Sequence, residues 1–168
     1  MVHIELIRNT YGGLSFLRNA CNYVINEHNP VFVGGLGVDY RNVDTAYAQM
    51  VAVKKYFGKL TCNPLIHFVV SFDLSVQDQD VAIAYAKGIA LFFHQRFQLL
   101  FAVHHKVCEN SLYHVHFVVN SVSLLNGLLF HSSPLILNAF CQHVAKITGL
   151  KPYSHFDNKA KTDYRKRE

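Results

Sequence analysis

The chain has 168 residues, 51% of them hydrophobic and 16% charged, and its 16 lysines and arginines outnumber 11 acids for a net charge of +5. That length supports one domain with a real core, and the composition excludes a disordered or low-complexity chain. The longest apolar run, VAIAYAKGIALFF, is broken by Lys87 and is too short to cross a bilayer, and the start lacks the apolar stretch of a secretory signal, so no membrane insertion is expected.

In chain order, VHIELIR alternates as a strand. SFLRNACNYVINE places Phe16, Ala20, Tyr23 and Val24 on one helical stripe, with Ser15 as its cap and Asn29-Pro30 as its stop. VFVGGLGV reads as a short, bent strand, and NVDTAYAQMVAVKKYFGK as a helix that carries Ala46, Met50, Val53 and Phe57 and ends at Gly58. PLIHFVVSFD is the next strand. Ser75, with Asp78 three residues on, opens a helix whose stripe runs Val81, Tyr85, Gly88, Ile89 and Phe92. FQLLFAVHHKV and YHVHFVVNSV then form a hairpin, GLLFH a short further strand, and Ser133-Pro134 starts a last helix closed by Gly149 and Pro152. The expected fold is a single α+β domain over residues 1–150: a largely antiparallel sheet of about five strands with helices packed against it. Residues 151–168 then form a basic tail, cut from a longer protein or mobile.

The four cysteines, Cys21, Cys62, Cys108 and Cys141, contain no CxxC pair, which argues against a zinc ribbon and suits a reducing cytoplasm. The eleven histidines are more informative, because His114 and His116 stand one residue apart in a strand. Strand alternation sends both to one face with Cα atoms roughly 6.5 Å apart, close enough for two imidazoles to meet one ion. A third ligand is available from the preceding strand, where either His104 or His105, but not both, shares that face. Set against this, a lone HxH is more often an exposed or hydrogen-bonded pair than a ligand set.

YHVHFVVNSVSLLNGLLFHSS resembles the His-hydrophobic-His block of the relaxase and mobilization nuclease family, the DNA-nicking enzymes of plasmid conjugation within the HUH endonuclease superfamily. AYAQMVAVKKYFGK followed by LIHFVVSFD resembles the family's segment ending in a histidine-containing strand, and LSFLRNACNYVINEH resembles its helix with the nucleophilic tyrosine. These blocks span residues 1–150 in the family's order. The resemblance implies an HUH-like fold, Tyr23 as nucleophile and His104, His114 and His116 as metal triad, with His105 the alternative to His104. His67 matches the family's strand histidine and Asn120 the asparagine after the HxH block, both as supporting residues. Without the resemblance Tyr23 would be read as core, and Tyr11 beside two glycines is the alternative nucleophile.

Two departures stand out. Lys106 occupies the position of an acid that usually follows the first histidine by two, and the link from His104 to His114 is longer than usual. Loss of that acid removes a group that would orient a ligand histidine.

The function so implied is nicking of single-stranded DNA at an origin of transfer through a tyrosine, with a covalent 5′-phosphotyrosyl product and, as further partners, other relaxosome or conjugation proteins. A divalent ion would serve it, Mg²⁺ or Mn²⁺ in use, with Zn²⁺ or Ni²⁺ also accepted by nitrogen ligands. Lys54, Lys55 and Lys59 at one helix end, and Lys159, Lys161, Arg165, Lys166 and Arg167 in the tail, are the expected phosphate contacts. The alternatives are a rolling-circle replication initiator, a water-using phosphoesterase, and a non-catalytic nucleic-acid-binding module.

Overall fold

The main strands and helices follow one another along the chain as β1 (Val2–Ile7), α1 (Leu14–Asn26), β2 (Phe32–Leu36), α2 (Val43–Tyr56), β3 (Leu65–Phe72), α3 (Gln79–Ala90), β4 (Leu99–Cys108), β5 (Ser111–Asn120), α4 (Pro134–Thr148) and β6 (Pro152–His155). This computed structural model describes residues 1–7, 13–26, 29–105 and 110–156, together with the backbone of 106–108. The α+β class holds, with six strands in place of five, in the order β2-β4-β5-β3-β1-β6. Every pairing is antiparallel except β1 with β6. No helix among the described residues is long and apolar enough to cross a membrane.

The additional strand is β6. Its four residues pair with β1 from Val2↔Pro152 to Glu5↔His155, so the sheet runs past residue 150 into the segment expected to be tail. The expected strand in GLLFH is reduced to an isolated bridge, Val122↔Leu129.

Helix ends follow local chemistry. Ser133 Oγ accepts from Ile136 N at 3.4 Å with Pro134 in the first turn, and Gly149 closes α4 in the left-handed region at φ 68°, both as expected. Asp78, not Ser75, caps α3, accepting from Asp80 N at 2.7 Å. Ser15 lies inside α1 rather than capping it.

Alternation on the three central strands divides the core. Phe68, Val70 and Phe72 of β3, Phe101 and Val103 of β4, and Val115, Phe117 and Val119 of β5 face α3 and α4. There the phenylalanines stack densely, with Phe68 and Phe140 centroids 4.5 Å apart. Gly34 on the edge strand belongs to this layer, because a Cβ there would stand 2.5 Å from the Phe101 ring. On the opposite face Leu65, Leu100, Ala102 and Val118 meet Leu17, Cys21 and Val24 of α1 and Ala46 and Met50 of α2. This second layer is smaller, and the histidines lie on the same face where its apolar part ends.

Candidate active site

Period-2 alternation along β4 and β5 decides which histidines meet. His104 pairs directly across from His114, and His116 lies opposite Ala102, so His104, His114 and His116 occupy one face of two adjacent strands. Their ring centroids are 5.3 Å apart for His104 and His114, 5.2 Å for His104 and His116, and 5.1 Å for His114 and His116. The long link between the strands does not separate them, because a register shift between His105 and Cys108 absorbs it. His105 is exposed and pairs with Tyr113, whose ring lies 5.0 Å away on the other face, so it stands apart from the trio.

Tyr23 reaches this cluster from α1. The helix buries Leu17, Cys21 and Val24, at spacings of four and three. Tyr23 sits on the flank of that stripe and is half-buried, which allows its ring to lie along the sheet and its hydroxyl to extend past the apolar layer. Its ring stacks on His104 at 6.0 Å and meets His116 edge-on at 5.0 Å, and its Oη lies 3.4 Å from His116 Nε2. Burial pushes the neighbouring Cys21 thiol up to about 12, so it is a core group rather than a competing nucleophile.

His67 lies on β3, next to β5 and on the same face. Its Nε2 is 2.9 Å from His116 Nδ1. Both rings are buried, and burial pulls the His67 pKa down to about 4, which leaves that ring neutral at pH 7.

A family model described as the relaxase, MobA/VirD2-like nuclease domain, matches residues 23–150, well over half of the chain. The chain belongs to the relaxase family. No curated protein and no solved structure gives a match. The relaxase nuclease match starts at Tyr23 and takes in every histidine of the cluster.

The other residues singled out in this relaxase domain have different surroundings. Asn120 is fully buried, and its Nδ2 donates to Met50 O at 3.1 Å and to Gln98 Oε1 at 2.9 Å, so it ties α2 and the β4 entry to the end of β5 rather than supporting the histidines. Lys54 was expected at phosphates and is instead fully buried, because it continues the inward row of Ala46 and Met50. Its Nζ donates to Ser121 Oγ at 2.7 Å and lies 3.9 Å from Cys62 Sγ. Lys55 and Lys59 are exposed, but this end of α2 packs by Ser121, five positions along from His116 or about 16 Å at strand rise. Tyr11, Lys159, Lys161, Arg165, Lys166 and Arg167 and the side chain of Lys106 lie outside the described residues.

The Lys54 environment gives a stability prediction. Desolvation lowers its pKa from 10.5 to about 8. Between these two values the unfolded chain holds a proton that the folded chain has released, so native stability rises with pH across that window. Lys54→Met should therefore melt higher than the natural chain at pH 7, by a few degrees on the scale of 1 kcal/mol giving about 2–4 °C, with the gap closing from pH 8 to 10.5. Thermal melts of both proteins at pH 7 and pH 10 measure this, and an unchanged gap would mean that the ammonium is not penalised by burial.

The chemistry of the donor set bears on a divalent ion. Three imidazoles each bound to one ion at about 2.1 Å stand with ring centres about 5 Å apart. The trio has that spacing, on two adjacent strands of one sheet. Among the described residues no group of three His, Cys, Asp or Glu is gathered closely enough to count as a metal site. Spacing and donor type fit the ion.

Proposed function

We propose that this relaxase domain nicks one strand of single-stranded origin-of-transfer DNA through Tyr23, with His104, His114 and His116 as the residues that hold a Mg²⁺ or Mn²⁺ ion. One observation carries the reading: a half-buried phenol on α1 places its hydroxyl 3.4 Å from one of three clustered imidazoles on the neighbouring sheet. The bound ion would supply positive charge for the non-bridging phosphate oxygens and for the phenolate.

The remaining steps belong to the chain's own groups. Tyr23 Oη gives up its proton to solvent and attacks phosphorus in line with the leaving 3′ oxygen; a bond forms from Oη to phosphorus, the phosphorus–O3′ bond breaks, and the 3′ oxygen takes up a proton from solvent. A free phenol has a pKa near 10, so at neutral pH Tyr23 needs either a base to take its proton or the positive charge that a bound ion would supply. Stacking on His104 and the edge contact with His116 limit the phenol's rotation, which lowers the entropy to be lost on reaction. The phosphotyrosyl bond replaces one phosphoester with another, so a second hydroxyl can later reverse the step.

Incubation with single-stranded origin DNA and Mn²⁺ should give a covalent protein–DNA adduct on a denaturing gel, with a free 3′ hydroxyl on the other fragment. Cleavage without attachment would replace this reading with a water-using phosphoesterase, and binding without cleavage with a non-catalytic module.

A further inference from the structure

We infer that His67 is a positioning residue for the candidate centre: its Nε2 accepts a hydrogen bond from His116 Nδ1–H and so fixes which nitrogen of His116 presents a lone pair to the tyrosine and its neighbours. The inference rests on the reading of His116 as a working group of the site.

The geometry makes the contact specific. Val69 is the residue opposite His116 on β3, and His67 is opposite Val118, so His67 and His116 are diagonal neighbours on one sheet face. Diagonal positions lie about 7–8 Å apart, a gap that two imidazoles bridge. Their nitrogens meet at 2.9 Å with ring centroids 5.1 Å apart and planes 50° apart. Both residues are more than nine-tenths buried, at 8% and 7% exposure, so water does not substitute for either nitrogen without opening the layer.

A proton count leaves two polarities, and the role read for His116 selects between them. One hydrogen lies between His67 Nε2 and His116 Nδ1. If His67 carries it, a neutral His116 bears its own hydrogen on Nε2, and that nitrogen can only donate toward Tyr23 Oη. It could then neither take up a phenolic proton nor bind a cation. If His116 carries the shared hydrogen, Nε2 faces the phenol at 3.4 Å with its lone pair, and either task is open to it. The second arrangement puts the hydrogen of a neutral His67 on its Nδ1, leaving Nε2 as the acceptor. An orienting acceptor behind a ligand histidine is commonly a carboxylate, a carbonyl oxygen or water. Here an imidazole takes that place. A neutral acceptor avoids the burial of a negative charge, which would be costly in this layer whenever no cation balanced it.

The test reads the proton directly. Long-range ¹H–¹⁵N correlation spectra of the full chain, free of DNA and metal at pH 7.5, should show His116 protonated at Nδ1. In His67→Leu the ring should drift to the Nε2–H form that imidazole prefers in water, and titration with Mn²⁺ should show affinity falling 10–100-fold, as loss of an orienting partner typically causes. His67→Gln, whose amide oxygen can accept in the same place, should restore both. Affinity for single-stranded DNA in the presence of EDTA should be the same for all three proteins. A natural chain with its His116 hydrogen on Nε2, or a His67→Leu protein with unchanged tautomer, overturns the inference, and the spectrum of the natural chain decides even if the leucine variant fails to fold. If the natural chain gives the Nδ1–H form yet forms no adduct with DNA, the positioning role stands and the nuclease reading is what fails.

Discussion

Tyr23→Phe should eliminate the covalent adduct while leaving the protein folded and able to bind single-stranded DNA. Deletion of a covalent nucleophile removes the whole route and not one increment of it, so the loss is on the order of a million-fold in rate, which appears on a gel as no adduct. The substitution is otherwise small. It deletes one oxygen, which lies 3.4 Å from His116 Nε2, from a side chain that is only half-buried, and the ring keeps its stacking on His104 and its edge against His116. A neutral hydrogen bond of ordinary length is worth about 1 kcal/mol, and this one is longer, so Tm should move by less than about 4 °C. Denaturing gels report the adduct, fluorescence anisotropy the DNA affinity and a thermal melt the fold. An undiminished adduct would move the nucleophile to another tyrosine, Tyr11 first, and would leave the phenol over the histidines with a packing role.

Why these residues were readable, and others not, follows from the range of the forces involved. Strand alternation is local, so His114 and His116 were placed on one face from spacing alone, and the hairpin gave a third histidine. Which of His104 and His105 joined them depended on the register of β4 against β5, a tertiary quantity, and the pairing of His104 with His114 supplies it. The buried stripe on α1 lies one position off the one its apolar spacing suggests. Phe16 was counted inward and is 42% exposed, whereas Leu17 is fully buried, and the shift moves Tyr23 from the centre of the apolar face to its flank. That displacement is what gives the phenol a way out to the cluster.

The burial of Lys54 departs from its expected place at the surface for a different reason. Its spacing of four from Met50 and eight from Ala46 already placed it on the inward row, but a charged residue among Lys55 and Lys59 was given the surface that lysines usually take. The strand β6 carried no signal, since four residues starting with proline and exposed for most of their length show neither alternation nor an apolar run. The contact between His67 and His116 was equally hidden. It joins residues 49 positions apart through the β3–β5 register, and no pattern in either strand marks the pair.

The second large effect is expected from His114→Ala, with His105→Ala as its matched control. Both histidines lie on the β4–β5 hairpin and neither is fully buried, yet they point to opposite faces. His114 stands 5.3 Å from His104 and 5.1 Å from His116 by ring centroid, so its loss leaves two imidazoles where a tightly held divalent ion needs at least three protein ligands. Adduct formation should fall by more than the roughly 10–100-fold that loss of a mere orienting partner produces. His116→Ala would be a poorer probe, since it also removes the 2.9 Å partner of buried His67 and so adds a folding penalty of about 1–3 kcal/mol. His114→Ala avoids that, and its Tm should stay within a few degrees of the natural chain. His105→Ala should match the natural chain in both adduct yield and Mn²⁺ affinity. Equal losses in the two variants would mean that the face on which a histidine stands is irrelevant to nicking, and the three-ring centre would then have to be given up.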